Sequence, residues 1–89
     1  MKHLKIQISG KVQGVWFRAS TQRKAKELGL NGIVRNLPNG DVYIEVEGEN
    51  SILEKFIEWC HQGSEFSRVD NVIISENENQ NFEDFRIVR

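Results

Sequence analysis

Between Gly10 and Arg18 the chain reads Gly-Lys-Val-Gln-Gly-Val-Trp-Phe-Arg, an arrangement suited to capturing an anion. Glycines let successive backbone N–H groups turn to one side. Arg18 stands where a helix can begin, so the unpaired donors of a helix N-terminus, its partial positive charge and a planar guanidinium converge on one spot. A phosphate there would meet the backbone amides of Gln13, Gly14, Val15, Trp16, Phe17 and Arg18, and Arg18 would add a bidentate contact. Each donor aimed in advance at charge that grows in a transition state is worth about 3 kcal/mol. By themselves, though, two glycines also suit any tight strand-to-helix turn.

A second segment, Gly32-Ile33-Val34-Arg35-Asn36, ends in an amide just before the turn Pro38-Asn39-Gly40. Placed near the first segment, Asn36 can accept from and donate to one water, which suits positioning a nucleophile. Its ordinary alternative is a turn-entry asparagine bonded to its own backbone. No Asp, Glu or His occurs between Gly10 and Arg18, and none follows Asn36 before Asp41. With no conventional general base, positioning and electrostatics must carry the reaction, and the leaving group must be a good one. A mixed carboxylic–phosphoric anhydride meets that demand, because its carboxylate departs without a protein acid.

Several elements must hold these two segments. Leu4, Ile6 and Ile8 alternate with polar residues, the period of a half-buried strand. Over 18–28 the period lengthens: Phe17, Thr21, Ala25 and Leu28 share one helical face, and Gly29 stands at the C-cap. Strands over 33–36 and 42–47 flank the turn Leu37-Pro38-Asn39-Gly40 and predict a hairpin. Ser51-Ile52-Leu53-Glu54 reads as a capping box, followed by an apolar stripe of Ile52, Leu53, Phe56, Ile57 and Cys60 that stops before Gly63. A strand over 69–75, a polar turn over 76–81 and a short strand over 85–88 complete the chain. The order βαββαβ plus a terminal strand predicts an α+β, ferredoxin-like two-layer sandwich, an antiparallel sheet with two helices on one face.

Composition bounds the rest. The 89 residues, 38% apolar and 28% charged, fit one domain over 1–89 that buries one modest core and no large cofactor. The single Cys60 has no partner for an internal disulfide, and the first twenty residues lack the apolar run of a signal peptide, so a cytoplasmic setting is expected. No stretch is long and apolar enough for a membrane span. The net charge of −1 conceals an asymmetry: through Gly40 eight Lys/Arg face one acid, whereas beyond it four face twelve. Either two solvated faces of opposite sign result, or the basic half draws a small anion or a polyanion toward the glycine segment.

The run Ile8-x-Gly10-x-Val12-Gln13-Gly14-Val15-x-Phe17-Arg18 resembles the first signature of the acylphosphatase family. Gly32-x-Val34-Arg35-Asn36-x3-Gly40-x-Val42-x5-Gly48 resembles its second, and the similarity runs on to Phe85-x-Ile87. The resemblance implies metal-independent hydrolysis of acyl phosphates to a carboxylate and inorganic phosphate, with no cofactor. It implies that Arg18 and the loop amides bind the phosphate, that Asn36 orients the attacking water, and that a phosphate oxygen takes the proton. Inorganic phosphate is then both product and competitor. Acetyl, carbamoyl and glyceroyl phosphates share the phosphoryl end that such a loop would grip, so the acyl group stays open. Two positions depart from the family pattern: Ile33, where an aromatic is usual, and Gly63-Ser64, where Gly-Pro is common.

Other residues have plainer readings. Gln13 serves as a loop brace or as a ligand, and Trp16 as a pocket-mouth aromatic or as surface packing. Cys60, His61 and His3 lack metal-ligand spacing, Trp59 suits packing, and the acids from Glu76 to Glu83 suit a solvated loop. The rival class is an RNA-binding module, which shares this order of elements. Its aromatic sheet signature is missing, because Asp41 to Glu47 offers only Tyr43 among three acids, so no nucleic acid is expected as partner. A metal carrier of this fold would need paired cysteines near the first loop, which the chain lacks. No seam points beyond a monomer.

Overall fold

The alternation of β1, Lys2–Lys11, turns Leu4, Ile6 and Ile8 into the core of the computed structural model, which describes all 89 residues. α1 spans Phe17–Glu27, β2 Asn31–Asn36, β3 Val42–Gly48, α2 Asn50–Gln62, β4 Arg68–Asn77 and β5 Phe85–Ile87. The sheet order is β4-β1-β3-β2-β5. β3 therefore lies between β1 and β2, and both of its ladders are antiparallel, so β1 and β2 run the same way and end at the same side of the sheet. That placement carries the two signature segments to one edge of the sheet layer.

The helices bury the stripes their sequences announce: Phe17, Thr21 and Ala25 on α1, and Leu53, Phe56 and Cys60 on α2. They pack over Ile6, Ile8, Val34, Val42, Ile44 and Val46, all fully buried. Burying one such side chain contributes about 1.5–3 kcal/mol, enough for these stripes to orient both helices. At the end of α1 the Leu30 N–H reaches the Ala25 carbonyl at 2.8 Å and the Gly29 N–H reaches that of Lys26 at 3.0 Å. The helix closes where the glycine implied.

Three local expectations differ from what forms. α2 begins one residue ahead of the Ser51 capping box: Glu49 is the N-cap, its carbonyl accepts from Ile52 and Leu53, and no side chain caps the helix. Only Glu49 separates β3 from α2, and seating Leu53 and Phe56 in the core outweighs a cap worth about 1 kcal/mol. β4 continues through Glu76 and Asn77 into the expected polar turn, because Leu4 and His3 of β1 supply backbone partners whatever the side chains are. β5 joins β2 in parallel, so the sheet is mixed at that edge rather than antiparallel throughout.

β1 continues through Gly10. It runs on to Lys11 through a register shift between Ser9 and Gly10, where β4 passes so close that a Cβ on Gly10 would overlap the Arg68 carbonyl oxygen. This glycine serves sheet pairing rather than the anion loop.

Candidate active site

The loop from Val12 to Trp16 is pinned at both ends. Val12 and Phe17 are buried, and the Phe17 ring lies 5.5 Å from that of Trp59 on α2. Between these anchors Gly14 has φ 73° and Trp16 φ 62°, two left-handed turns that fold the backbone into a cup. Gly14 adopts this freely, whereas for Trp16 it costs about 1–2 kcal/mol, supported by the packing on either side. Ser64, at the position that departs from the family pattern, places its hydroxyl 3.5 Å from the Val15 carbonyl.

Gln13 braces the cup from behind. Its side-chain Nε2 donates to the carbonyls of Leu37 and Asp41, both at 2.8 Å, tying the loop to the hairpin that follows Asn36. Both amide hydrogens are thereby engaged, so the brace is the role the side chain fills, and its backbone N–H remains for a ligand. The Leu37 N–H closes the same hairpin onto the Asp41 carbonyl at 2.8 Å.

None of the N–H groups from Gln13 through Ala19 donates a hydrogen bond within the protein, and the first bond of α1 runs from Ser20 to the Trp16 carbonyl. These free donors line the loop and the first turn of the helix, where the helix dipole adds partial positive charge. Arg18 sits in that turn, half-buried, without an acidic partner. Across from it Asn36 closes β2 with its Oδ1 buried and without a hydrogen-bond partner in the protein, an acceptor left free. The alternative of a turn-entry asparagine bonded to its own backbone is therefore not what forms.

Gly14, Trp16, Phe17, Arg18 and Asn36 all line one cleft of about 400 Å³, completed by Val12, Ala19 and Ile87. Gln13 and Val15 are not among the lining residues. Trp16 is 79% exposed at the rim, a mouth residue rather than a packed one. Ile87 escapes sequence reasoning because only the parallel pairing of β5 on β2, Val34 opposite Ile87, brings it beside Asn36. No carboxylate, histidine or cysteine lines the cleft, and no group of three His, Cys, Asp or Glu is placed to hold a metal ion. Its chemistry is that of an anion cradle facing one amide acceptor.

The remaining expected bystanders divide. Cys60 is buried on α2, and burial pushes its thiol far above the ordinary range, so it is inert packing. His61 beside it is exposed, whereas His3 is fully buried: Nδ1 lies 2.9 Å from Glu47 Oε2 and Nε2 2.8 Å from Glu45 Oε1, and Phe82 stacks on the ring. Glu47 also accepts from the N–H groups of Gln80, Asn81 and Phe82, clasping the connection between β4 and β5. Burial would push its carboxyl up, but these hydrogen bonds outweigh that and hold it below the usual carboxylate range.

The protein is thus of the α+β class, a βαββαβ sandwich in which a strand–loop–helix turn of free backbone donors faces an asparagine across one cleft. The acylphosphatase family model matches residues 4–87, and on that match the chain belongs to the acylphosphatase family. An acylphosphatase from Marinobacter nauticus is 56% identical over 80 residues, which cover 89% of this chain and 87% of that one. The crystal structure of an acylphosphatase from Bacillus subtilis superposes with a TM-score of 0.97 at 36% identity, covering both chains fully. One from Coxiella burnetii gives 0.94 at 39% identity over 98% of this chain and 92% of that chain. The protein is thus an enzyme, an acylphosphatase, of a family that acts on small-molecule acyl phosphates. No helix is long and apolar enough to cross a membrane.

Proposed function

We propose that the cleft hydrolyses the carboxyl–phosphate bond without a metal, with Arg18 and Asn36 as the catalytic residues. The phosphoryl oxygens take the free N–H groups of Gln13, Gly14, Val15, Trp16, Phe17 and Arg18, and the Arg18 guanidinium grips two of them. Asn36 Oδ1 accepts one hydrogen of a water and so directs its lone pair at phosphorus, in line with the acyl oxygen. As the water oxygen bonds to phosphorus, the P–O bond to the acyl group breaks and its electrons leave with the carboxylate. The water's proton passes to a phosphoryl oxygen, so no protein base is required. Charge that shifts onto equatorial oxygens meets donors already in place.

The observation that carries this reading is the pairing of two unsatisfied sets across one cleft: the donors of the loop and first helical turn, and the buried acceptor of Asn36. The 1–89 chain is taken as one domain that works as a cytoplasmic monomer and engages no nucleic acid. In support of the last point, Tyr43 is the sole aromatic on β3, and Arg35 caps its ring at 5.3 Å.

Hydrolysis of benzoyl phosphate in EDTA, with inorganic phosphate as competitor, tests the assignment. Turnover should persist in EDTA and phosphate should inhibit competitively. Activity only after metal is added would defeat the mechanism, as would Arg18→Lys retaining normal kcat/KM, since a point charge cannot replace the planar fork.

A further inference from the structure

We propose that this site favours acyl phosphates whose acyl chain carries a second negative charge, and that Arg89 is the specificity residue that reads it. The inference rests on the reading of the cleft given above and concerns only the acyl side, which the signature segments leave open.

Past Ile87 the active cleft opens into an adjoining hollow of about 630 Å³ walled by Arg18, Asn36, Ile87 and Arg89. Three of these residues belong to both spaces, so the two are continuous, and Arg89 is the one that belongs to the outer space alone. With the phosphoryl group in the loop, the acyl group has this route: along the apolar side of Ile87, toward Arg89.

No side-chain carboxylate answers the cations along that route. Arg68 and Arg86 are each held by an aspartate two residues away, Asp70 and Asp84, at 2.9 Å. Arg89 and Arg18 have no such partner, and no Asp or Glu lines either space. Arg18 and the loop amides already answer the phosphoryl charge. Arg89 stands further out, with an aliphatic side chain between. That sequence of groups, cation, apolar spacer, cation, fits a ligand with an anion at each end and methylenes in the middle. A four-carbon dicarboxylic acid phosphorylated on one carboxyl has this form.

The test compares succinyl phosphate with butyryl phosphate, equal in chain length but neutral at the far end, on the whole protein and on Arg89→Gln. For the unmodified protein kcat/KM should favour succinyl phosphate by about three- to fivefold at low salt, the scale of one solvent-accessible ion pair. In Arg89→Gln the ratio should fall to about one through a higher KM for succinyl phosphate, and raised ionic strength should reduce it similarly. Equal use of both substrates, or a preference that survives Arg89→Gln, overturns the assignment while leaving the hydrolytic mechanism intact. Failure to hydrolyse either substrate overturns that mechanism and the selectivity with it.

Discussion

Replacing Glu47 should be among the most damaging changes outside the active site. In the native protein its carboxylate, 3% exposed, accepts from His3 Nδ1 and from the backbone N–H groups of Gln80, Asn81 and Phe82. Glu47→Ala leaves a fully buried histidine facing a void and three loop donors without their acceptor. Removing a buried carboxylate that accepts four hydrogen bonds costs about 3–5 kcal/mol, most of it from the partners left unpaired. Against a total of about 5–15 kcal/mol this is a large fraction, and for a domain of this size it corresponds to a fall in Tm of roughly 15–30 °C. Urea unfolding at pH 7 measures it. The pH dependence supplies a second reading. Because the carboxyl is held below its usual value of 4.5 in the folded state, its contribution is present above that pH and is lost as pH falls through the lower, native value. Glu47→Gln should therefore be less stable at neutral pH and lose less on acidification than the unmodified protein. A loss under about 1 kcal/mol at pH 7, or parallel acid profiles, would refute the claim that this carboxylate fastens the β4–β5 connection.

Asn36→Ala should lower kcat by about 100-fold with the inhibition constant of phosphate little changed, because it removes the water's guide and not the phosphate's donors; equal losses in both would place Asn36 on the phosphate instead. Gln13→Ala removes two hydrogen bonds between loop and hairpin and should cost about 1–2 kcal/mol in urea unfolding, together with a fall in kcat as the cup loosens; unchanged stability would argue against the brace. Gly10→Ala drives a Cβ into the Arg68 carbonyl, so β4 must separate locally from β1, and hydrogen exchange should accelerate along Arg68–Asn71; an unaltered exchange pattern there would show that the bulge relaxes without cost.

The parts of this protein that depend on near neighbours are legible in its residue order. The cup from Gln13 to Arg18, the period of α1 and α2 and the turn after Asn36 are legible because left-handed glycines, helix termini and amphipathic stripes act within a few residues. The absence of an acid or base near either segment is equally plain, and it points to a substrate with a good leaving group. Elsewhere long-range neighbours overrule such local rules. His3 lies on the strand face that alternation assigns to solvent, yet the 78–84 connection folds over it and two glutamates from β3 meet its ring. Ile87 reaches the cleft, and Arg89 the hollow beside it, only because β5 pairs in parallel with β2, and Gly10 owes its place to a strand almost sixty residues away. Strand pairing is set by backbone partners and closure of the whole sheet, which no short window of side chains encodes. The phosphoryl end of the site is thus written locally, whereas its acyl side is assembled by the fold.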